Sequence, residues 1–473
     1  MTSSSLYVDL DGTLVATDLL HESLLQLLRA SPLSMLSLVP WLLRGKAAFK
    51  REVASRVEID ATTLPYRPEV LELVKRARAE GRRTVLATAS DGKFATRIAK
   101  HLGLFDAVLA SDGQRNLGGS AKLEAIRADA GGQPFSYVGD RSVDMSVWRG
   151  AAGAVVVSRS ASLARRAAGA TTVESHIHLP RVPLKRYLYG VRVHQWLKNF
   201  LIFLPLMPVL HELTLGMLVD ASLAFVAFGL MASGIYVLND LLDLESDRRH
   251  KRKRFRPFAS GEISLPIGLA MSVGLCLASV ALSLTLLPMK FVFVLVGYML
   301  LTTAYSFFLK RRAIVDVFAL AGLYTVRVAA GAAATGLPLS FWILTFSLFI
   351  FLSLALAKRY VELTGSPGEV SEMKKNRNYH PIDLPLVLTG GVAAGQMSAL
   401  LLGLYLQDQQ MLARYTHPGY LWILVPVFLF WIMRIWLKAV RGVLHDDPVV
   451  FAARDWVSRL ALGIAAAALW AAG

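Results

Sequence analysis

Two carboxylates, Asp9 and Asp11, stand in the string Asp9-Leu10-Asp11-Gly12-Thr13 at the end of a short apolar run. A pair at this spacing suits covalent phosphoryl transfer: one carboxylate attacks phosphorus while the other protonates the leaving oxygen and later activates water. A turn rich in Asp and Gly would give the same string without chemistry. Three further groups follow in order. Thr88 comes just after the apolar run Thr84–Ala87, where its hydroxyl could hold a phosphate, and Ser90 is a rival two residues on. Lys122, near the start of a helical segment, could neutralise phosphate charge. Gly139-Asp140-Arg141-Ser142-Val143-Asp144 offers carboxylates to Mg²⁺, a hard cation that prefers oxygen. Taken singly, Lys122 reads as a solvated helix residue and Asp144 as a helix-start residue favoured by the dipole.

A second acidic group ends a long apolar stretch, in Tyr236-Val237-Leu238-Asn239-Asp240-Leu241-Leu242-Asp243-Leu244-Glu245-Ser246-Asp247. Asn239, Asp243 and Asp247 are spaced four apart and are expected on one helical face, with Asp240 beside them. Carboxylates at the end of a membrane helix are expensive unless water, metal or a partner receives them. The cationic run Arg248–Arg256, with seven Lys and Arg, begins immediately afterwards. Acidic metal ligands beside cations suit a metal-bound diphosphate. A run that only set membrane topology would explain Arg249 or Arg252, but not the acidic face.

The first, ordered set resembles the four motifs of the haloacid-dehalogenase (HAD) superfamily across roughly residues 6–170. The resemblance implies Asp9 as nucleophile, Asp11 as general acid and base, and Thr88 and Lys122 on the phosphate. It implies Mg²⁺ on Asp9, Asp11 (through its carbonyl) and Asp140, with Asp144 in support. The second set is similar to the UbiA superfamily signature NDxxDxxxD with its following cationic loop, over about residues 184–473. That resemblance implies Asp240 and Asp243 as catalytic and Mg²⁺ on Asn239, Asp240, Asp243 and Asp247.

Aromatic prenyltransferases of that superfamily carry a second motif with paired Asp; here the matching stretch has only Asp316. Gln195-Trp196-Leu197-Lys198-Asn199, Lys310…Asp316…Arg327, Lys358-Arg359-Tyr360-Val361-Glu362-Leu363 and Asp447-Pro448…Arg454-Asp455 resemble the decaprenyl-phosphate phosphoribosyltransferase branch instead. It implies phosphoribosyl diphosphate as donor and a polyprenyl phosphate as acceptor; Lys198, Lys253, Arg254, Arg256, Lys310, Arg327, Lys358 and Arg359 are candidates to meet the substrate phosphates, and Asp316 is a candidate substrate-binding residue beside them. Arg327 stands out because a charge within an apolar segment needs a function or a partner. Lys198 and Arg359 could equally be interfacial anchors. Tyr236 and Tyr305 read as packing residues. The transferase product would keep a 5-phosphate that a HAD phosphatase could remove. Two alternatives stay open: a prenyl diphosphate donor with an aromatic or other acceptor, or a HAD part that only regulates or docks.

These groups need two kinds of scaffold. Residues up to about 180 mix charged and apolar residues like a soluble domain. Short apolar runs at Leu6–Leu10, Thr84–Ala87, Ala107–Ala110, Ser136–Val138 and Ala154–Val157 alternate with helical segments, which predicts a parallel α/β, Rossmann-like sheet with ligands at its carboxyl edge. A small helical cap is expected at about 18–78 within a domain of residues 1–175. Pattern lapses near 172–183, where Pro180 and Pro183 suggest a linker over 176–183. An all-α polytopic membrane domain follows at 184–473. It opens on a basic, aromatic surface stretch (Leu184–Lys198) and has nine apolar segments, about 199–217, 218–238, 264–284, 288–308, 313–335, 340–357, 384–406, 419–437 and 456–472.

Charge in the connections alternates. Arg248–Arg256 holds seven basic residues, 310–312 three, and the loops near 358–380 and 434–459 five each, while the intervening loops hold only Lys290 and Arg414. By the positive-inside tendency this predicts a multi-pass protein of the inner or plasma membrane, with the N-terminal domain and the basic loops cytoplasmic. The opening MTSSSLYVDLDGT has no basic region leading into an apolar core, so no cleavable signal peptide is expected. The net charge of +17 sits mainly around the membrane part, and no nucleic-acid recognition pattern accompanies it. Cys276, the one cysteine, has no partner for a disulfide or metal site. Association with a second copy of the chain stays open.

Overall fold

A computed structural model describes residues 4–365, 374, 377–444, 451–452 and 454–473. The Asp447-Pro448 part of the late motif lies outside them. The chain divides into two compact units, one of residues 1–191 with 237–271 and the other of 192–236 with 272–473.

The first unit is built on six parallel strands, β1 (Ser5–Val8), β2 (Thr84–Asp91), β3 (Ala107–Ser111), β4 (Phe135–Gly139), β5 (Gly153–Ser158) and β6 (Thr172–His178), in the order β3-β2-β1-β4-β5-β6. Central strands are apolar on both faces, as a parallel sheet covered on both sides requires: Tyr7, Val8, Val85, Leu86, Tyr137 and Val138 are fully buried. The chain leaves β1 toward β2 on one side and reaches β4 on the other, so the carboxyl ends of β1 and β4 form the crevice where such sheets bind ligands. Helices Leu19–Ala30, Lys46–Arg56 and Pro68–Ala79 fall between β1 and β2.

Two local expectations need correction. The run at Thr84 was expected to end at Ala87, but β2 continues to Asp91, with a register irregularity against β3 after Ala87. Thr88 and Ser90 are therefore strand residues, not loop residues. The supposed linker begins with a strand: β6 pairs with β5 from Gly153↔Thr172 to Ser158↔His178. As an edge strand it is exposed or half-buried along its whole length, so its sequence lacks the apolar density of a central strand.

Seven helices among the described residues are long and apolar enough to cross a membrane; they include Leu215–Leu242, Leu265–Leu286, Val315–Thr335 and Phe341–Leu363. The first of the nine expected segments instead lies in a 3-10 run, Val193–Glu212, that is non-helical at Val209 and contains Pro205 and Pro208. Proline removes backbone donors and crowds the preceding turn, which breaks an α-helix here. The last, Trp456–Ala472, is a helix of 17 residues.

Candidate active sites

In the first unit the end of β1 places Asp9 (8% exposed) against Lys122, whose ammonium lies 2.8 Å from Asp9 Oδ1 and 2.8 Å from the Tyr137 hydroxyl. Tyr137 in turn donates to Asp144 Oδ1 at 3.0 Å. Burial alone would pull the Lys122 ammonium down, but Asp9 and Asp144 hold it above its usual value. Asp9 Oδ1 also accepts from the Leu10 amide at 2.9 Å. Among the described residues both of these bonds fall on Oδ1, which makes Oδ2 the oxygen suited to attack.

Asp9, Asp140 and Asp144 can bring carboxylate oxygens within 4.8 Å of one another. Burial pushes the Asp140 carboxyl up to about 7, Arg141 opposing, and burial likewise raises Asp144. Three hard oxygen donors crowded to the point of holding protons fit a divalent cation such as Mg²⁺. Gly12, at φ +76°, sits where a Cβ would run into the Asp140 carboxylate. The turn after β1 thus requires glycine both for its backbone and to keep that carboxylate in place. The backbone N–H groups of Asp140 and Arg141 donate to Asp144 Oδ2 at 3.1 and 3.0 Å, fixing the turn after β4.

Asp11 takes a separate place. Its Oδ1 accepts from the Leu19 amide at 2.8 Å and its Oδ2 from the Ser90 hydroxyl. Burial, and then the neighbouring Asp18, push its carboxyl up to about 7, which suits a group that must donate a proton. Asp18 itself is held down at about 2: burial opposes this, but His21 and Arg141 outweigh it. Ser90 is the hydroxyl brought to Asp11. Thr88 is fully buried, its Oγ1 accepting from the Ser90 amide at 3.0 Å. Sequence reasoning missed Tyr137, a plain strand residue by pattern. It also missed Arg141, whose guanidinium reaches the Asp11 carbonyl at 3.2 Å.

Beside these groups opens a cavity of about 510 Å³ whose lining includes Asp140, Arg67, Arg141 and Arg159 and, from later in the chain, Gly261 and Leu265. Leu265 is the first residue of helix Leu265–Leu286.

The second acidic group lies in the same unit. Helix Leu215–Leu242 stops at Asp243 (φ −101°, ψ 15°), and helix Leu244–Arg249 follows. Expected on one face were Asn239, Asp243 and Asp247; instead Asp240 and Asp247, two turns apart, converge on one guanidinium. Arg256 Nη1 lies 3.0 Å from Asp240 Oδ1 and 2.6 Å from Asp247 Oδ2, while Asp243 pairs with Arg29 at 3.1 Å. Asp240 and Asp247, seven positions apart, share a helical face, whereas Asp243 meets Arg29. Asn239 is half-buried beside them. Burial raises Asp247 to about 6 despite Arg256. Two buried carboxylates gathered on one cation are oxygen donors that fit Mg²⁺. Lys253 is half-buried, and Arg254 is exposed over the Phe255 ring.

In the second unit Arg327 (4% exposed) is enclosed by the rings of Phe228, Tyr298 and Tyr324 and donates to Asn199 Oδ1 at 3.0 Å and the Leu323 carbonyl. Among the described residues no carboxylate pairs with it, and the buried Asn199 Nδ2 has no hydrogen-bond partner. Lys198 lies over the Tyr324 ring. Asp316 is fully buried and satisfied by Arg359 Nε at 2.8 Å and the Tyr379 hydroxyl at 2.7 Å, with Arg377 at 3.7 Å. Arg359 also binds Glu362. Lys310 and Lys358 are half-buried. The Tyr305 hydroxyl, taken as packing, accepts from Arg377 at 3.1 Å. Tyr379 and Arg377 carried no sequence signal, because nothing in their neighbourhood has a recognisable spacing.

Fold and sites together define a multi-span membrane protein with a HAD-like hydrolase domain ahead of a helical transferase domain. The model of the UbiA prenyltransferase family matches residues 209–458, and that of haloacid dehalogenase-like hydrolases matches residues 6–149. The chain belongs to the UbiA prenyltransferase family. It is 38% identical to the uncharacterized protein y4nM of Sinorhizobium fredii over 96% of this chain and 88% of that one. Nodulation protein NoeC of Azorhizobium caulinodans is 34% identical over 60% of this chain and 92% of its own length. Decaprenyl-phosphate phosphoribosyltransferase of Mycobacterium tuberculosis is 38% identical over 37% of this chain and 59% of that enzyme.

Proposed function

We propose that the chain transfers 5-phosphoribosyl from phosphoribosyl diphosphate to a polyprenyl phosphate, and that its HAD domain then removes the 5-phosphate. In the first step an oxygen of the lipid phosphate bonds to the anomeric carbon as the bond to diphosphate breaks. Asp240 and Asp247, with Asn239 and Asp243 beside them, would hold Mg²⁺, which when bound offsets the charge of the departing diphosphate. Arg256, Lys253 and Arg254 supply cations next to it. Arg327, buried with no carboxylate partner among the described residues, supports an anionic ligand; Lys198, Lys310 and Lys358 would add charge. Asp316 and Arg359 neutralise each other, which suits a supporting role. That single, satisfied Asp316 also argues against a second carboxylate-bound metal.

In the second step Asp9 Oδ2 bonds to phosphorus, the P–O bond to ribose breaks, and the ribose oxygen takes the Asp11 proton. Water then cleaves the aspartyl phosphate, its proton returning to Asp11. Lys122 offsets charge on the phosphoryl group, with Ser90 and Thr88 lining the strand behind Asp11. Asp9, Asp140 and the Asp11 carbonyl would hold Mg²⁺, with Asp144 in support.

The observation that carries the coupling is the cationic cavity beside Asp140, walled by Gly261 and by Leu265, where a membrane-length helix begins. A phosphomonoester carried on a lipid can reach such a wall. The reading completes with a multi-pass placement in the inner or plasma membrane, the HAD domain and basic loops cytoplasmic. Detergent-purified protein given labelled phosphoribosyl diphosphate and polyprenyl phosphate should yield a lipid-linked ribose without its 5-phosphate, and Asp9→Asn should yield the phosphorylated form. Family membership favours one competing reading, a prenyl diphosphate donor. Release of diphosphate from a prenyl diphosphate but not from phosphoribosyl diphosphate would decide for it.

A further inference from the structure

Helix Leu19–Ala30 lies between β1 and β2, far in sequence from the NDxxDxxxD segment, yet it meets that segment directly. Glu22, Leu25 and Arg29 fall on one face, at i, i+3 and i+7. Glu22 is 3% exposed, and both its oxygens meet Arg248, at 3.0 and 2.5 Å. Arg29 Nη1 donates to the Leu242 carbonyl at 3.0 Å and pairs with Asp243 at 3.1 Å. Leu25 packs against the cluster that includes Val237, Leu241, Leu244 and Phe258. A fourth contact, Asp60 with Arg249 at 2.8 Å, lies beside these.

These contacts fall where the acidic segment changes direction. The Leu242 carbonyl is one of those a helix end leaves without an intrahelical partner, and Arg29 satisfies it. Asp243 is the residue at the break, and Arg248 immediately follows Asp247. A charged residue buried on each side of the contact would be costly without the other, so the pairing fixes the geometry.

We propose that Glu22 and Arg29 are positioning residues of the transferase: the HAD-side helix ties down Asp243 and the break there so that Asp240 and Asp247 present their oxygens together to a metal-bound diphosphate. This rests on the reading of that segment as the diphosphate site. The HAD domain thereby serves the transfer step physically, apart from its own hydrolysis.

The test uses the full-length chain and Mg²⁺-dependent binding of inorganic pyrophosphate, counting only the part of the signal that Asp240→Asn removes. Glu22→Gln and Arg29→Met should each weaken that binding and lower the transfer rate by about 10²-fold, the scale of an ångström-level misplacement. Both should still hydrolyse p-nitrophenyl phosphate, which shows the sheet domain intact. Asp9→Asn should lose that hydrolysis and keep pyrophosphate affinity. Arg29→Lys should retain most of the affinity, because Arg29 uses a single nitrogen that an ammonium can replace. Wild-type affinity in both Glu22→Gln and Arg29→Met overturns the proposal, as does an Arg29→Lys variant no better than Arg29→Met. If the wild-type chain bound pyrophosphate at Asp240 but did not turn over phosphoribosyl diphosphate, the donor assignment would fall and this inference would stand.

Discussion

The Lys122 ammonium sits 2.8 Å from Asp9 Oδ1, with both side chains nearly closed off from solvent. In the proposed phosphatase reaction Lys122 would balance Asp9 in the resting site and meet phosphate charge in the occupied one. Replacing it with Met leaves Asp9 and Asp144 buried without that cation. Breaking a buried pair from one side costs about 3–5 kcal/mol. Lys122→Met should lose phosphatase activity and also lower the denaturant midpoint for β1 and β4, read by hydrogen exchange of their amides.

The proton on Asp11 sets a pH limit. Its carboxyl is pushed up to about 7, so the acid form falls away above that pH. A sugar-like leaving oxygen needs that proton, whereas p-nitrophenolate leaves without it. Hydrolysis of an alkyl phosphate should decline as pH rises through about 7, while hydrolysis of p-nitrophenyl phosphate should hold further. Asp11→Asn should cost the alkyl substrate about 10²–10⁴-fold and the aryl substrate much less. Equal losses for both substrates would remove Asp11 from the acid role.

Stability without metal should follow the same groups. Asp11 and Asp140 bind protons more tightly folded, at about 7, than at their ordinary 3.8. A raised folded value contributes stability that is complete below the unfolded value and is lost as pH rises through the folded one. In EDTA the amides of β1 and β4 should therefore lose protection between about pH 4 and 7. Mg²⁺ should restore it near neutrality by taking the protons' place.

Two buried arginines should part company. Arg359 answers Asp316, which is fully buried, so Arg359→Met removes its nearest cation, leaving the Tyr379 hydroxyl and the more distant Arg377, and should cost about 3–5 kcal/mol, seen as loss of folded protein in detergent. Arg327 has an aromatic enclosure and Asn199 but no carboxylate among the described residues. Arg327→Met should leave a folded protein with weakened binding of the anionic substrate. A folding defect in Arg327→Met as deep as that of Arg359→Met would count against a ligand at Arg327.

The hydrolase site was legible because its groups fall at strand ends in a fixed order, and a parallel sheet gathers strand ends at one edge. Tyr137 was not, because a tyrosine in a buried strand looks like packing until a lysine 15 positions earlier is found against its hydroxyl. The acidic segment was legible in content but not in grouping: the i, i+4, i+8 spacing pointed to Asn239, Asp243 and Asp247, while the equally helical i, i+7 pair Asp240 and Asp247 meets on Arg256 and Asp243 pairs with Arg29. Pro205 and Pro208 were visible, yet apolarity alone suggested an α-helix where the chain forms a 3-10 run. Asp316 was read toward substrate, and only the structure shows Arg359 and Tyr379 already answering it.

Glu22 and Arg248 are 226 positions apart. A ribosome adding roughly 5–20 residues per second delivers the arginine on the order of ten to forty seconds after the glutamate. Throughout that interval Glu22 is without the arginine that it meets in the folded chain. A chain truncated upstream of residue 248 would lack the arginine that answers Glu22.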